Sequence, residues 1–72
     1  MAQQIQLRRG DDFIRLGQAM KLAGIVSSGV EAKMYITEGE VAVNGETETR
    51  RGRKLYPGDV FSFADEEVEI SQ

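Results

Sequence analysis

The sequence predicts a single small α+β domain, in which two short helices are followed by several short antiparallel strands. Apolar residues recur at helical spacing over residues 17–23 and again between Ser28 and Gly39, and from Val41 they alternate as in a strand. Asn44 and Gly45 then predict a tight hairpin, because a type I′ turn needs positive φ at both central residues. The chain has 72 residues and enough apolar side chains for one core, so residues 1–72 are expected to form one domain.

The N-terminal segment is predicted to hold one short strand after a disordered start. Its first few residues are expected to be disordered. Residues 5–9 alternate apolar and polar side chains, as a short edge strand does. A turn is predicted over residues 10–12. It is followed by three apolar residues that precede the first helix, Phe13, Ile14 and Leu16.

The first helix is predicted over residues 17–23. At about 100° per residue, one of its sides carries Ala19, Met20, Leu22 and Ala23. Gln18 and Lys21 share the opposite side, so Lys21 is expected to face solvent or a partner. Gly24 suits the C-terminal cap of this helix.

The second helix has a clear start signal. Ser28 and Glu31 have the spacing of a capping box, in which Ser28 is the N-cap and Glu31 returns to the Ser28 amide. The predicted core stripe consists of Ala32, Tyr35 and Ile36. Lys33 lies away from that stripe, and Gly39 ends the helix. Val30 and Met34 lie on a different side, so burial on two faces is expected.

The remaining strands are predicted from turns and alternation. Residues 46–49 are expected to pair back on the strand that precedes Asn44. Pro57 and Gly58 have the φ preferences of a type II turn. Two further strands are predicted from apolar residues spaced by two, namely Phe61 with Phe63 and Val68 with Ile70.

The residue types exclude the commonest catalytic and metal-binding groups. The chain has no histidine and no cysteine, which removes the commonest general base, the thiolate nucleophile and the commonest zinc ligands. We therefore expect no enzyme activity, no cofactor and no metal. A hairpin turn and a solvated strand face account for the C-terminal acidic cluster, which consists of Asp65, Glu66, Glu67 and Glu69.

The hydropathy pattern predicts a cytoplasmic protein that does not bind membranes. No apolar run approaches the roughly 20 residues that a membrane-spanning helix needs. The N-terminus has neither the basic start nor the apolar stretch of a secretory signal.

The feature most suggestive of function is a basic run over residues 50–54. Four of the nine positive charges lie in it, Arg50, Arg51, Arg53 and Lys54, although the net charge of the chain is −3. A charged, solvated loop is one interpretation. Phosphate binding is the other, because each Arg or Lys that neutralises a phosphate releases counterions. Arg15, Lys21 and Lys33 are candidates to extend this patch, against the simpler alternative that they serve solubility.

Several motifs together resemble the S4 RNA-binding domain. They are Arg15-Leu16, Ser28 followed by Ala32, the segment from Ile36 through Gly39, Val41 and Val43 to Asn44-Gly45, and Gly58-Asp59. The basic run after the Asn-Gly hairpin is similar to the small stand-alone S4-like bacterial proteins of the YbcJ and YaaA type. The resemblance implies two short helices packed on a small bent antiparallel sheet, the αL motif.

The resemblance also implies a function and its residues. Members present basic side chains to structured RNA, often ribosomal RNA. Arg15 and Lys33 match basic positions of the family, and the basic run matches the loop of the stand-alone branch. Gly17 replaces a family aspartate and is expected to remove a helix cap. Gly29 stands where the wider family often has an RNA-contacting arginine, which shifts the binding role to residues 50–54.

The sequence thus predicts a non-catalytic RNA-binding protein that contacts phosphates and recognises shape. RNA, in particular ribosomal RNA, and ribosomal particles are the predicted partners. The predicted RNA-binding residues are Arg15, Lys21, Lys33, Arg50, Arg51, Arg53 and Lys54. The alternative is a protein-interaction module whose arginine loop docks on an acidic partner, and the net negative charge of the chain favours it.

Overall fold

The computed structural model describes residues 2–72, which form two helices and seven strands in two sheets. In chain order the elements are β1 (Ala2–Gln6), β2 (Ile14–Arg15), α1 (Leu16–Leu22), α2 (Gly29–Thr37), β3 (Val41–Val43), β4 (Glu46–Thr47), β5 (Lys54–Leu55), β6 (Val60–Phe63) and β7 (Glu66–Ser71). The α+β class predicted from the sequence is confirmed.

The larger sheet is mixed rather than purely antiparallel. Its strand order is β1-β7-β6-β3-β4, and β1 runs parallel to β7 while the other pairs are antiparallel. The sequence predicts antiparallel strands only, whereas the pairing of β1 with β7 is parallel. Parallel pairing needs a long connection between the two strands, and here almost the whole domain lies between β1 and β7.

The N-terminal strand begins and ends earlier than predicted, at Ala2–Gln6 rather than over residues 5–9. Strand β1 begins at Ala2, and Ile5 lies opposite Ile70 of β7. Gln4 adds a side-chain hydrogen bond of 3.1 Å from its Nε2 to Oε1 of Glu69. The predicted disorder of the first residues is not seen from Ala2 onward, and Met1 lies outside the described residues. Pairing with a distant strand supplies order that the local sequence pattern does not reveal.

The start of α2 follows the predicted capping box with one difference. The Glu31 amide donates to Oγ of Ser28 at 3.2 Å, as expected for an N-cap serine. The Glu31 carboxylate accepts from the Ser27 amide at 2.9 Å, one residue before the predicted donor. The helix ends just before Gly39, as predicted, and Gly39 has a φ of +79°, the left-handed conformation that favours glycine after a helix.

The core lies between the inner faces of the helices and the sheets. Its largest fully buried side chains are Phe61, Leu16, Met20, Ile36, Leu55, Ile70, Val41 and Val68. Ala32 and Ile36 are buried and Tyr35 is partly buried against the core, which confirms the predicted stripe of α2.

The prediction that α2 is buried on two faces is wrong. Val30 is 80% exposed and Met34 is 47% exposed. Leu22 of α1, predicted to share the apolar side of that helix, is also exposed. A domain of this size has too little chain to cover both faces of its helices.

Two turns hold the sheet in register. Asn44 and Gly45 have φ values of 52° and 85°, which confirms the predicted hairpin. The Asn44 side chain binds the end of the second turn, which contains Pro57 and Gly58. Its Oδ1 accepts from the Val60 amide at 3.0 Å, and its Nδ2 donates to Oδ1 of Asp59 at 3.1 Å.

Within residues 2–72, neither helix is long and apolar enough to span a bilayer.

Candidate nucleic-acid interface

The loop between β4 and β5, residues 48–53, is fastened to the start of α1 by its backbone. Among the described residues, no side chain caps this helix, and its N-cap is Arg15. The Leu16 amide donates to the carbonyl of Arg53 at 2.8 Å, and the Gly17 amide donates to the carbonyl of Arg51 at 3.1 Å. The loop thus satisfies the first N–H groups of the helix, which otherwise lack partners.

Gly17 has a packing role rather than a capping role. It is the second helical residue, so the expectation that it replaces a helix cap is wrong. A Cβ at Gly17 would lie 2.7 Å from Cγ and 3.2 Å from Cδ of Arg51. The missing side chain therefore makes room for the stem of Arg51, which packs against the helix at this point.

A buried carboxylate inside the loop organises two of its arginines. Glu48 is 6% exposed and accepts hydrogen bonds from Nε and Nη2 of Arg50 at 2.9 and 3.1 Å. It also accepts from the Arg50 amide at 3.1 Å and from Nη1 of Arg53 at 2.6 Å. The two-point contact with Arg50 holds that guanidinium in a fixed orientation.

These contacts shift the pKa values of the groups that they join. The hydrogen bonds from Arg50, followed by that from Arg53, lower the pKa of Glu48 to about 2 despite its burial. The pKa of Arg50 is raised by the same contact. Glu48 offsets one of the four positive charges at residues 50–54, so residues 48–54 retain a net charge of +3.

The sequence reasoning missed Glu48. It was predicted to lie in the strand over residues 46–49, but β4 ends at Thr47. In a polar segment such as this, no apolar periodicity marks the residue that turns inward. The nearest sequence signal is a carboxylate two residues before the first arginine of the basic run.

The outer face of the two-stranded sheet carries a cluster of two aromatic and two basic side chains, Phe13, Arg15, Lys54 and Tyr56. Arg15 of β2 lies directly opposite Lys54 of β5. Phe13 and Tyr56 flank the strands, and their ring centroids are 5.9 Å apart. Because side chains alternate along a strand, buried Leu55 faces the core while Lys54 and Tyr56 on either side of it are exposed. We call these four residues the outer platform.

The two basic groups of the outer platform lie over the same ring. The Lys54 Nζ is 4.8 Å from the centroid of Phe13, and the Arg15 Cζ is 5.5 Å from it. Both distances are within the range of cation–π attraction. Arg15 also donates from Nη1 to the carbonyl of Gly52 at 2.8 Å, which connects the platform to the loop.

Six of the seven predicted site residues gather around this loop. One shallow depression is lined by Arg15, Arg50, Gly52, Arg53, Lys54 and Tyr56. A second, which shares Arg15 and Gly52, is lined by Arg15, Gly17, Gln18, Lys21, Gly29, Arg51 and Gly52. Lys33 lines neither depression in the described part of the chain. It lies one helical turn after Gly29 on the exposed side of α2.

The C-terminal acidic cluster lies on the other sheet. Glu66, Glu67 and Glu69 belong to β7 of the larger sheet, whereas the basic residues surround the smaller sheet. No group of three acidic residues within residues 2–72 is arranged to hold a metal ion.

Comparisons with known sequences agree with the resemblance found in the sequence. The sequence model of the S4 domain matches residues 5–71. "Probable ribosome maturation protein RlbA" of Bacillus subtilis (strain 168) is 55% identical over 52 residues, which cover 72% of this chain and 73% of that protein. "Putative RNA-binding protein YbcJ" of Escherichia coli (strain K12) is 40% identical over 57 residues, which cover 79% of this chain and 81% of that protein.

The fold agrees as well. The solution structure of YbcJ from Escherichia coli aligns with a TM-score of 0.73 at 33% sequence identity, and the alignment covers 100% of this chain and 90% of that one. That structure is described as revealing an αL motif involved in RNA binding. The matched sequence, the matched fold and the motif spacing lead to one conclusion: the chain belongs to the S4 domain family and resembles its small YbcJ-type members.

Proposed function

We propose that this chain is a non-catalytic RNA-binding protein that recognises structured RNA through phosphate contacts and helix shape. The observation that carries the proposal is the convergence of basic side chains from three separate segments around one loop. Arg15 comes from β2, Lys21 from α1, and the remaining four from residues 50–54. Like charges repel, so their gathering in a chain of net charge −3 favours an anionic ligand.

The geometry favours phosphate groups as the anions. Arginine guanidinium groups can donate two parallel hydrogen bonds to a phosphate. Arg50 is already held by Glu48, yet its side chain is 71% exposed, so part of its guanidinium faces solvent. The A-form major groove is too deep and narrow for side chains to read, and double-stranded RNA is therefore recognised mainly by shape and by backbone contacts.

The names of the relatives support ribosomal RNA as the ligand. RlbA is named for ribosome maturation, and YbcJ is named for RNA binding. We therefore extend the proposal to ribosomal RNA or ribosomal particles in the cytoplasm. Crosslinking the protein to RNA in cells and sequencing the bound fragments tests this part. Predominant recovery of ribosomal RNA supports it, and predominant recovery of another RNA contradicts it while leaving general RNA binding intact.

The salt dependence of binding tests the site itself. If four to six basic groups contact phosphates, log affinity for a short structured RNA should fall against log salt with a slope of about −3 to −5. The sharpest variant replaces Arg51 and Lys54 together by alanine, because this leaves both arginines that neutralise buried Glu48 in place. Loss of two phosphate contacts should reduce the slope by roughly 1.4 to 1.8.

A matched control replaces the two remaining arginines of the chain. Arg8 and Arg9 lie in the segment between β1 and β2, outside the two depressions around the loop. Alanine at both positions removes the same formal charge and should leave the slope close to that of the parent protein. An equal reduction of the slope in both variants would show a general charge effect and contradict the assigned site.

Purification distinguishes RNA binding from the protein-interaction alternative. A complex isolated from cells under gentle conditions should lose its partner on nuclease treatment if the partner is RNA. A nuclease-resistant complex with an acidic protein, formed through Arg51 and Lys54, would overturn the RNA proposal.

A further inference from the structure

The outer platform has a composition that phosphate binding alone does not explain. It combines two aromatic rings with two basic groups on one face of the small sheet. Placing Arg15 directly opposite Lys54 is unfavourable for folding, because like charges across a strand pair repel. The pairing thus leaves two positive charges beside two aromatic rings, a surface complementary to a ligand with negative charge and a flat apolar face.

The two rings differ in how they are used within the protein. Phe13 is partly buried and lies within cation–π distance of both Lys54 and Arg15. Tyr56 is 47% exposed and lies in the depression between the platform and the loop. Of the two, Tyr56 is thus the ring that presents its surface to a ligand.

The backbone around Tyr56 is held firmly. Its amide donates to Oδ2 of Asp59 at 2.8 Å, and its carbonyl accepts from the Asp59 amide at 2.9 Å. Pro57 follows it, which limits the backbone further, and Leu55 before it is fully buried. Little backbone freedom remains to be lost when a ligand packs against this ring, which favours binding.

From this arrangement we propose that Tyr56 stacks on an unpaired base of the bound RNA while Arg53 and Lys54 hold its adjacent phosphates. This inference rests on the proposed RNA-binding function and deepens it, since it names the ligand feature that the surface selects. Every base has a π-face, so stacking is tolerant of base identity. The protein would accordingly prefer a helix interrupted by a bulged nucleotide over a continuous helix, without reading which base is bulged.

The stacking proposal is tested with three short RNA duplexes of the same flanking sequence. One is fully paired, one carries a single bulged nucleotide, and one carries an abasic sugar at the bulge. The parent protein should bind the bulged duplex roughly 5- to 150-fold more tightly than the paired duplex, the range that stacking on one aromatic ring provides. The abasic bulge should bind like the paired duplex, because it keeps the phosphate and the bend but lacks the base.

Substitutions at Tyr56 assign the preference to this side chain. Tyr56→Ala should reduce the ratio of the affinity for the bulged duplex to that for the paired duplex to near one. Tyr56→Phe should preserve this ratio, since the ring remains. Val30→Ala is the matched control, because Val30 is an exposed apolar side chain on α2, outside the platform. Its ratio should equal that of the parent protein.

The possible results separate this inference from the proposed function. If the parent protein binds none of the duplexes at low salt, the proposed RNA-binding function fails. If it binds all three with equal affinity, RNA binding stands and the stacking inference is overturned. An abasic bulge that binds as tightly as the bulged base, or a Tyr56→Ala variant that keeps the preference, likewise overturns it.

Discussion

The Nη1 atom of Arg53 lies 2.6 Å from Oε1 of the buried Glu48 carboxylate, which also binds the guanidinium of Arg50. A carboxylate in this position gives the basic loop a defined shape, because it binds the guanidinium groups of both Arg50 and Arg53. Removal of Arg50 or Arg53 would therefore take a partner from a buried carboxylate and destabilise the domain, whereas removal of Arg51 or Lys54 would not. The same contact decides which substitutions report on RNA binding and which report on stability.

Removing the charge of Glu48 should destabilise the domain. In Glu48→Gln the side chain keeps its size, but its amide group now faces two guanidinium groups and the ion pairs are lost. We expect the free energy of unfolding to fall by about 1–3 kcal/mol, measured as a lower urea midpoint at an unchanged m-value. The control is Glu46→Gln on the exposed strand β4, which should change stability by less than about 0.5 kcal/mol. Equal effects of the two variants would contradict this role of Glu48.

Stability should depend on pH through the same residue. Glu48 has a pKa of about 2 in the folded protein, against an ordinary value of 4.5. A pKa that is lower in the folded state adds stability above the unfolded value, and that stability is lost as pH falls from about 4.5 towards 2. Urea unfolding at a series of pH values should show a steeper acid loss for the parent protein than for Glu48→Gln. Parallel curves would show that other carboxylates account for the acid sensitivity.

Because Arg51 lies close to α1, substitution of the two glycines at the helix starts should affect stability differently. Gly17→Ala should gain helix propensity but displace the stem of Arg51, whose Cγ lies 2.7 Å from the added Cβ position. Gly29→Ala meets no atom within 4 Å and should leave stability unchanged or raise it by up to about 1 kcal/mol. Thermal unfolding should therefore rank Gly29→Ala above Gly17→Ala. The reverse order would mean that Arg51 moves aside without cost.

The two sides of α2 should respond differently to truncation. Ile36→Ala removes a fully buried side chain and should cost about 2–5 kcal/mol, through lost burial and the cavity left behind. Val30 is 80% exposed, so Val30→Ala should change stability by less than about 0.5 kcal/mol. Urea unfolding followed by circular dichroism measures both. A large loss in Val30→Ala would indicate that this face of α2 is covered, for example by a second molecule.

The parts of the fold that were predictable depend on interactions between near neighbours in the chain. Asn44 and Gly45 specify their turn by the backbone conformations that they tolerate. Ser28 caps α2 by binding the Glu31 amide in the same helical turn. The basic run over residues 50–54 was likewise visible as a pattern of charge. None of these features requires knowledge of distant residues.

The parts that were not predictable depend on residues far apart in the chain. The parallel pairing of β1 with β7 joins the two ends of the domain, and no local pattern distinguishes it from a frayed terminus. Burial of Val30 was predicted from its apolar character, but burial depends on what the fold leaves available to cover it. Glu48 is buried although it lies in a polar segment, and only the assembled structure shows this burial, together with the bond from its amide to the carbonyl of Val41 in β3.

The same division applies to the candidate site. By itself, the sequence determined the α+β class, the caps and turns, and the presence of a basic loop. Each of these depends on the backbone preferences, periodicity or charges of residues that are close together in the sequence. Only the tertiary structure decided that Glu48 neutralises part of that loop and that Phe13 and Tyr56 lie together beside Arg15 and Lys54. The contacts of the outer platform arise from the pairing of β2 with β5, in which Ile14 lies opposite Leu55 and both side chains pack on the core.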